Sequence, residues 1–138
     1  MIIEWTEENS VGVKELDEHH QNLVKIANKL YDFTRTNVKD RNKLIELLNE
    51  LVNFSKYHHS IEEKYFKKFN YEHIERHTKE HEKFFVNMNA LIKKIEDPKS
   101  DFSQTTFEVL DYLEDWYLNH LNDEDKKYTK TFNENGLF

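Results

Sequence analysis

The stretch HTKEH at residues 77–81 places His77 and His81 four positions apart. Residues at this spacing lie one above the other on the same face of an α-helix. The apolar residues around them, from Ile74 to Ile95, recur at steps of three and four, which predicts an amphipathic helix with both histidines on its buried stripe. Packing alone would favour aliphatic side chains at those two positions. The stretch therefore predicts a helix whose buried face carries chemistry as well as packing.

Helical spacing of apolar residues extends from this stretch over most of the chain. It predicts four helices, at about residues 14–36, 40–69, 72–96 and 101–128. Asp40 is an expected N-cap, Asn70 can adopt the left-handed conformation that ends a helix, and Pro98 disfavours helix at the residue before it. Asp101 with Gln104 resembles a capping box at the start of the fourth helix.

Short connections between these helices predict an all-α fold, an antiparallel up-down-up-down four-helix bundle. Residues before Gly12 form an N-terminal arm, and residues after Tyr128 form a short C-terminal tail. We expect Trp5, Phe132 and Phe138 to hold these two segments against the bundle.

Composition excludes several other classes of protein. With 138 residues, 37% of them hydrophobic and 14% aromatic, the chain is one domain's worth and can bury a core. The net charge of −7 argues against a nucleic-acid partner, which needs a basic face. The absence of cysteine excludes disulfides, iron–sulfur clusters and thiolate zinc sites. Because no signal-like start or membrane-length apolar window is seen, we expect a cytoplasmic protein with no membrane partner.

Titratable side chains occupy positions on the buried stripe of every predicted helix. They are His20 on the first helix, His58 and Glu62 on the second, His77 and His81 on the third, and His120 on the fourth. Burying five imidazoles without partners would cost on the order of 1–3 kcal/mol each. At a rise of about 1.5 Å per residue, antiparallel packing brings all of them to one level, roughly 5–16 Å from the same end of the bundle. Imidazole and carboxylate without thiolate suit iron, and a bundle core can hold a carboxylate-bridged di-iron site.

Other residues compete for these roles. His59 and Glu63 are also four apart, but the apolar stripe selects the pair one residue earlier. His73 falls at the predicted start of the third helix, so we expect it to be exposed or beside the site. His19 is expected on the surface.

Four short segments together resemble the hemerythrin family, specifically its single-domain bacterial members. They are DEHH at residues 17–20, HHSIEE at 58–63, HTKEH at 77–81 and HLNDED at 120–125. Trp5 and the VGV sequence before the first helix match as well. Each segment alone is weakly specific, whereas the ordered set of four is highly specific and covers nearly the whole chain. The resemblance implies one hemerythrin-like domain over residues 1–138.

The resemblance also implies a centre of two iron ions, bridged by an oxo or hydroxo group, with seven protein ligands. They are His20, His58, Glu62, His77, His81, His120 and Asp125. Three histidines would hold one iron and two the other, with both carboxylates as bridges. This count leaves one open coordination position, on the iron of His20 and His58. We expect apolar side chains to enclose that position, namely Leu23, Ile61, Trp116 and Leu121.

The fourth helix presents a conflict between geometry and family. In a regular helix, residue i+5 lies about 140° around the axis from residue i, so geometry selects Glu124 as the partner of His120. The family motif selects Asp125. A local π-bulge would reconcile the two, and such bulges favour functional sites. We predict Asp125.

The function that the resemblance implies is reversible dioxygen binding for carriage, storage or delivery, with azide and similar small anions binding the ferric form. No catalytic residue is predicted. An enzyme on the same scaffold, such as a peroxidase, a nitric-oxide-handling protein or a ferroxidase, is one alternative, and a sensor of oxygen or iron is another. The family usually has phenylalanine where this chain has His59, which we expect on the rim of the oxygen pocket. A protein partner stays an open question.

Overall fold

Four long helices and a distorted continuation of the last one make up the fold. The computed structural model describes residues 3–138. The long helices are α1 (Lys14–Thr34), α2 (Arg41–Lys68), α3 (Ile74–Glu96) and α4 (Phe102–Trp116). After α4 come a π-helix (Tyr117–Glu124), a 3-10 turn (Asp125–Tyr128) and a short helix α5 (Thr129–Glu134). None of the helices within residues 3–138 combines the length and apolar composition needed to cross a membrane.

The helices begin and end within two residues of the prediction, except at the end of the fourth, where α4 stops at Trp116 and the π-helix and 3-10 turn continue to Tyr128. The Asp40 carboxylate accepts a hydrogen bond from the backbone N–H of Lys43 at 3.0 Å, and Asp101 does the same for Gln104 at 2.8 Å. Asn70, with φ of 51°, adopts the predicted left-handed conformation. These caps satisfy backbone groups that a helix end would otherwise leave unpaired.

Consecutive helices pack against one another, and α4 also contacts α1, which closes the four-helix bundle. The predicted all-α fold and up-down-up-down order are therefore confirmed. The short C-terminal tail after Tyr128 contains the helix α5, and its Phe132 is fully buried, as expected. Trp5 packs against the core as expected. Phe138 does not, since 73% of it is exposed.

Two separate apolar clusters fill the interior. We call the larger one the aliphatic cluster; it consists of Leu23, Val24, Ile26, Leu30, Leu44, Leu47, Leu48, Leu51, Val52, Phe84, Met88, Ile92, Ile95, Val109, Leu113, Tyr117 and Leu121. We call the smaller one the aromatic cluster; it consists of Val11, Val13, Leu16, Phe66, Tyr71, Tyr128 and Phe132. Burying a leucine or phenylalanine side chain fully contributes about 1.5–3 kcal/mol. These clusters therefore supply most of the force that holds the bundle together.

Candidate metal centre

A layer of polar side chains lies in contact with both apolar clusters. The His77 ring packs on Phe66 of the aromatic cluster, with ring centroids 4.7 Å apart. On the other side, the His120 ring stacks on Trp116, which packs against the aliphatic cluster, with centroids 4.0 Å apart. The layer contains every residue that the sequence proposes as a ligand, and each is at most 2% exposed: His20, His58, Glu62, His77, His81, His120 and Asp125.

These seven residues form two overlapping groups. Within each group, one potential ligand atom per residue lies within 4.8 Å of all the others. The three-histidine group consists of His77, His81, His120, Glu62 and Asp125. The two-histidine group consists of His20, His58, Glu62 and Asp125. Because both carboxylates belong to both groups, they stand where a bridge between two cations would stand.

Regular helical spacing explains the contributions of α2 and α3. His58 and Glu62 are one turn apart on α2, and the distance from His58 Nε2 to Glu62 Oε1 is 3.4 Å. His77 and His81 are one turn apart on α3, and their Nε2 atoms lie 3.9 Å and 3.2 Å from the same Glu62 oxygen. Side chains four residues apart share a helix face, so these pairs need no distortion of the backbone.

The fourth helix needs a distortion, and the π-helix provides it. The backbone N–H of Asp125 donates to the carbonyl of His120, five residues earlier. This wider turn brings Asp125 to the face that His120 occupies: Asp125 Oδ1 lies 3.0 Å from His120 Nε2 and 2.9 Å from His77 Nε2, and Oδ2 lies 3.0 Å from His20 Nε2. The predicted π-bulge is thus present, as such distortions often are at functional sites.

Glu124, the residue that regular helix geometry selects, lies outside the layer. Its carboxylate accepts hydrogen bonds from Arg76 Nε at 3.0 Å and from Lys127 Nζ at 2.9 Å. Burial would raise the pKa of Glu124, but these two cations lower it. Glu124 is therefore a buried ion-pair residue that belongs to neither group of potential ligands.

Three residues around the layer contact the Nδ1 atoms of its histidines. His19 Nδ1 lies 2.9 Å from His58 Nδ1, Glu63 Oε2 lies 2.9 Å from His81 Nδ1, and Glu80 Oε2 lies 2.8 Å from His120 Nδ1. The prediction that His19 is a surface residue is wrong, because it is only 9% exposed. Sequence reasoning also missed Glu80. The only signal for it is that it immediately precedes His81.

His59 and His73 occupy positions outside both groups. The His59 ring is stacked on His81, with centroids 3.7 Å apart and planes at 5°, and it also contacts Phe84 and Trp116. It is 3% exposed and therefore does not lie on an open rim. His73 is half-exposed at the start of α3, where its Nε2 lies 3.2 Å from Glu72, as expected for a residue outside the site.

Opposing effects of burial and charge set the protonation of the layer. Burial would raise the pKa of Glu62, yet His58 and His81 hold it at about 2. Burial would likewise raise the pKa of Asp125, but the charge of His120 keeps it well below its usual range. Burial also lowers the pKa of His58 to about 3. Burial would lower the pKa of His120, but Asp125 and Glu80 raise it to about 10. Ionised carboxylates and the neutral His58 ring can coordinate a cation directly, whereas a cation bound by His120 would have to displace its proton.

The unpaired atoms of the layer fit a metal. Both oxygens of Glu62, both of Asp125, and the Nε2 atoms of three histidines (His77, His81, His120) are buried without a hydrogen-bond partner, although they lie close together. An unsatisfied buried polar group costs about 1–3 kcal/mol. Cations placed among these atoms would satisfy all of them together. Imidazole and carboxylate donors without a thiolate suit iron.

Comparisons with known proteins agree with this chemistry. The family described as "Hemerythrin HHE cation binding domain" matches residues 11–132. The bacteriohemerythrin of Clostridium acetobutylicum is 28% identical over 127 residues, which cover 90% of this chain and 96% of the relative. The bacteriohemerythrin of Pseudomonas aeruginosa (strain LESB58) is 24% identical over 127 residues, which cover 90% of this chain and 77% of the relative.

Solved structures show the same architecture. The crystal structure of a wild-type hemerythrin matches with a TM-score of 0.81 at 26% identity, covering 95% of this chain and 98% of that one. Three findings agree: the fold is similar, the family matches most of the chain, and the buried donor set fits a metal. The protein belongs to the hemerythrin family, whose domain implies a di-iron cofactor.

Proposed function

We propose that this protein binds dioxygen reversibly at a di-iron centre held by the seven residues of the polar layer. The observation that carries the proposal is that three histidines surround one side of the shared carboxylates Glu62 and Asp125, and two histidines surround the other side. When bound, an iron pair supplies the electrons that hold dioxygen. The full ligand set is His20, His58, Glu62, His77, His81, His120 and Asp125.

The two carboxylates are proposed as bridges because each has oxygen atoms close to histidines of both groups. Glu62 Oε1 lies 3.4 Å from His58 Nε2 and 3.2 Å from His81 Nε2. With the same bridges on each side, the two-histidine group supplies one imidazole fewer. We therefore place the position that receives dioxygen, or azide in the ferric form, on the side of His20 and His58.

A small apolar cavity supports this placement. It has a volume of about 30 Å³, and its lining includes Leu23, Ser55, Trp116 and Leu121. Leu23 lies one turn from His20, and Ser55 lies one turn from His58. Such a space suits a small apolar molecule and disfavours water, which needs several polar partners. Ile61, also expected in this enclosure, instead packs against the aromatic cluster.

The lining of this cavity favours binding over catalysis. Among the described residues that line it, the only titratable group is the Tyr117 hydroxyl, which donates to the carbonyl of Glu4 at 3.3 Å. A peroxidase needs a positioned proton donor beside the bound oxygen. His59, the candidate for that role, is stacked on a histidine of the other group.

Anaerobic loading with ferrous iron followed by exposure to air tests the function. We expect two iron ions per chain and an oxygenated absorption spectrum that disappears under vacuum and returns in air. Immediate and irreversible conversion to the ferric form, with turnover of added peroxide, would replace oxygen binding by an enzymatic function.

The ligand assignment has a separate test in the glutamates of α2. Glu62→Ala removes a proposed bridge and should lower the iron content well below two per chain. Glu46→Ala is the matched control because its side chain is 71% exposed on the same helix. Full iron retention in Glu62→Ala would reject Glu62 as a ligand and point to Glu63.

A further inference from the structure

The outward-facing nitrogens of the histidines differ between the two groups. All five imidazoles direct Nε2 toward the carboxylates of the layer. In the three-histidine group, Nδ1 of His81 contacts the Glu63 carboxylate and Nδ1 of His120 contacts the Glu80 carboxylate. In the two-histidine group, Nδ1 of His58 contacts an imidazole instead, that of His19.

Hydrogen-bond chemistry fixes the roles in these contacts. A histidine that coordinates a metal through Nε2 carries its proton on Nδ1 and donates it outward. Glu63 and Glu80 therefore accept as carboxylates. His19 must also accept through Nδ1, so its own proton lies on Nε2 and the ring is neutral. The three-histidine group thus has two negative outer partners, whereas His58 has an uncharged one.

We propose that this asymmetry directs the first one-electron oxidation of the centre to the iron of the three-histidine group, with His19 acting as the positioning residue for His58. The inference rests on the ligand set proposed above. A carboxylate behind a ligand histidine makes the imidazole a stronger donor, which favours the ferric ion. Each oxidation step transfers one electron from an iron ion to the electrode or oxidant.

The size of the effect follows from exposure. The side chains of Glu63 and Glu80 are 30% and 40% exposed, so water screens part of their charge. We expect removal of either charge to change the first oxidation equilibrium by about tenfold, which corresponds to about 59 mV for one electron. Because His19 carries no charge, replacing it with an uncharged residue should change the potential of the first and of the second oxidation only slightly.

Spectroelectrochemistry of the iron-loaded protein separates the two steps. Glu63→Gln and Glu80→Gln should each raise the potential of the first oxidation and leave the second nearly unchanged. Glu82→Gln removes the same charge from an exposed position on α3 and is the matched control. His19→Asp adds a carboxylate behind His58 and should lower the potential of the second step. Glutamine variants that move only the second step, or no more than Glu82→Gln does, would overturn the proposal.

The positioning role of His19 has its own readout in metal affinity. His19→Leu removes the acceptor and should weaken binding of one of the two irons by about tenfold, the lower end for loss of such a partner. His19→Asn keeps an acceptor near the Nδ1 position and should restore the affinity. Wild-type affinity for both irons in His19→Leu would refute the role.

These outcomes are distinguishable from failure of the proposed function. Oxygen binding is measured separately, so the potentials can shift as expected in a protein that does not bind oxygen reversibly. That combination would overturn the function and leave the asymmetry standing. A wild-type chain that takes up fewer than two irons would overturn both.

Discussion

The aliphatic and aromatic clusters, on either side of the polar layer, are built in different ways. The aliphatic cluster draws its side chains mainly from α1 to α4 at steps of three and four residues. The aromatic cluster draws several of its side chains from segments outside those helices, among them Val11 and Val13 before α1 and Phe132 in α5. One cluster is a conventional bundle core, and the other combines segments near both ends of the chain with Phe66 at the end of α2 and Tyr71 in the connection between α2 and α3.

The clusters also differ in how they meet the polar layer. Phe66 and Tyr128 of the aromatic cluster lie directly against His77, with ring centroids 4.7 Å and 5.9 Å away. Much of the aliphatic cluster, such as Leu44 and Ile95, comes from helix ends remote in sequence from the ligand residues. The packing of the aromatic cluster should therefore depend on whether the layer holds metal, and that of the aliphatic cluster should depend on it much less.

Metal removal should have the largest effect of the changes considered, and it should act on the aromatic cluster more than on the aliphatic cluster. The metal-free layer leaves buried donors unpaired, so the free energy of unfolding should fall by about 4 kcal/mol or more if free iron normally exceeds its Kd a thousandfold. The melting temperature should then fall by about 14 °C or more. Thermal melts with and without a chelator measure this.

Hydrogen exchange locates the loss within the molecule. Backbone amides near Phe66 and Tyr128 should exchange faster in the metal-free protein, whereas those near Leu44 and Leu48 should change little. Equal acceleration at both clusters would show that the whole bundle depends on metal, and identical melts would show that neither cluster does.

A matched pair of leucines tests the same difference by substitution. Leu16 belongs to the aromatic cluster and Leu48 to the aliphatic cluster, and both are fully buried. Either Leu→Ala change should cost about 2–5 kcal/mol of stability. Only Leu16→Ala, one turn from His20, should also weaken iron binding. Urea titrations and metal analysis together decide this, and equal iron loss in both variants would contradict it.

Sequence patterns predicted the four long helices. They failed at α5 and at the burial of His19, which depend on contacts between segments distant in sequence. The spacing of apolar residues determined the four helices, because burial of one face requires that spacing. It missed α5, since residues 129–134 contain a single apolar side chain, Phe132. His19 looked like a surface residue because no pattern of one helix can show that Phe54 and Tyr57 pack against its ring.

The polar layer shows the same division. The α2 and α3 pairs follow from regular helix geometry, so spacing alone selected them. The position of Asp125 depends on a π-helix. Such segments are rare and occur mostly at functional sites, so helical spacing alone does not predict them. Regular geometry therefore selected Glu124, and the family motif was needed to select Asp125.

Alkaline pH should lower the free energy of unfolding through a tyrosine of the aromatic cluster, an effect smaller than that of metal removal. Burial raises the pKa of Tyr71 to about 12, against about 10 for an exposed tyrosine. Because the folded pKa is the higher one, the stabilisation is complete below pH 10 and is lost as pH rises toward 12. The loss should be on the order of 2 kcal/mol. Unfolding titrations between pH 9 and pH 12 measure it.

Tyr71→Phe should reduce this alkaline loss. The Tyr71 hydroxyl is buried without a hydrogen-bond partner, so its removal should cost little at neutral pH. Tyr57→Phe, at a tyrosine that is 52% exposed, is the control and should leave the alkaline loss unchanged. An unaltered pH profile in Tyr71→Phe would exclude Tyr71 as the source.

His59→Phe should produce the smallest effect, on the aliphatic side of the layer. The Nδ1 atom of His59 is buried without a partner, and its ring stacks on His81 and contacts Phe84. Phenylalanine keeps an aromatic ring there and removes the unsatisfied nitrogen, so stability should rise by about 1 kcal/mol. The melting temperature should rise by about 3 °C. Iron content should stay at two per chain, because His59 belongs to neither ligand group.

The same variant tests whether His59 acts on bound oxygen. Its ring is stacked on His81 and does not itself line the cavity proposed for dioxygen, from which Phe84 and Trp116 separate it. The rate of autoxidation should therefore change by no more than about twofold, equivalent to about 0.4 kcal/mol. His73→Phe, at a half-exposed histidine outside the layer, should leave stability within about 0.5 kcal/mol. Much slower autoxidation in His59→Phe alone would mean that His59 supplies a proton to the bound oxygen. The oxygen cavity would then have to extend to His59 past Phe84 and Trp116, which line it and contact the His59 ring.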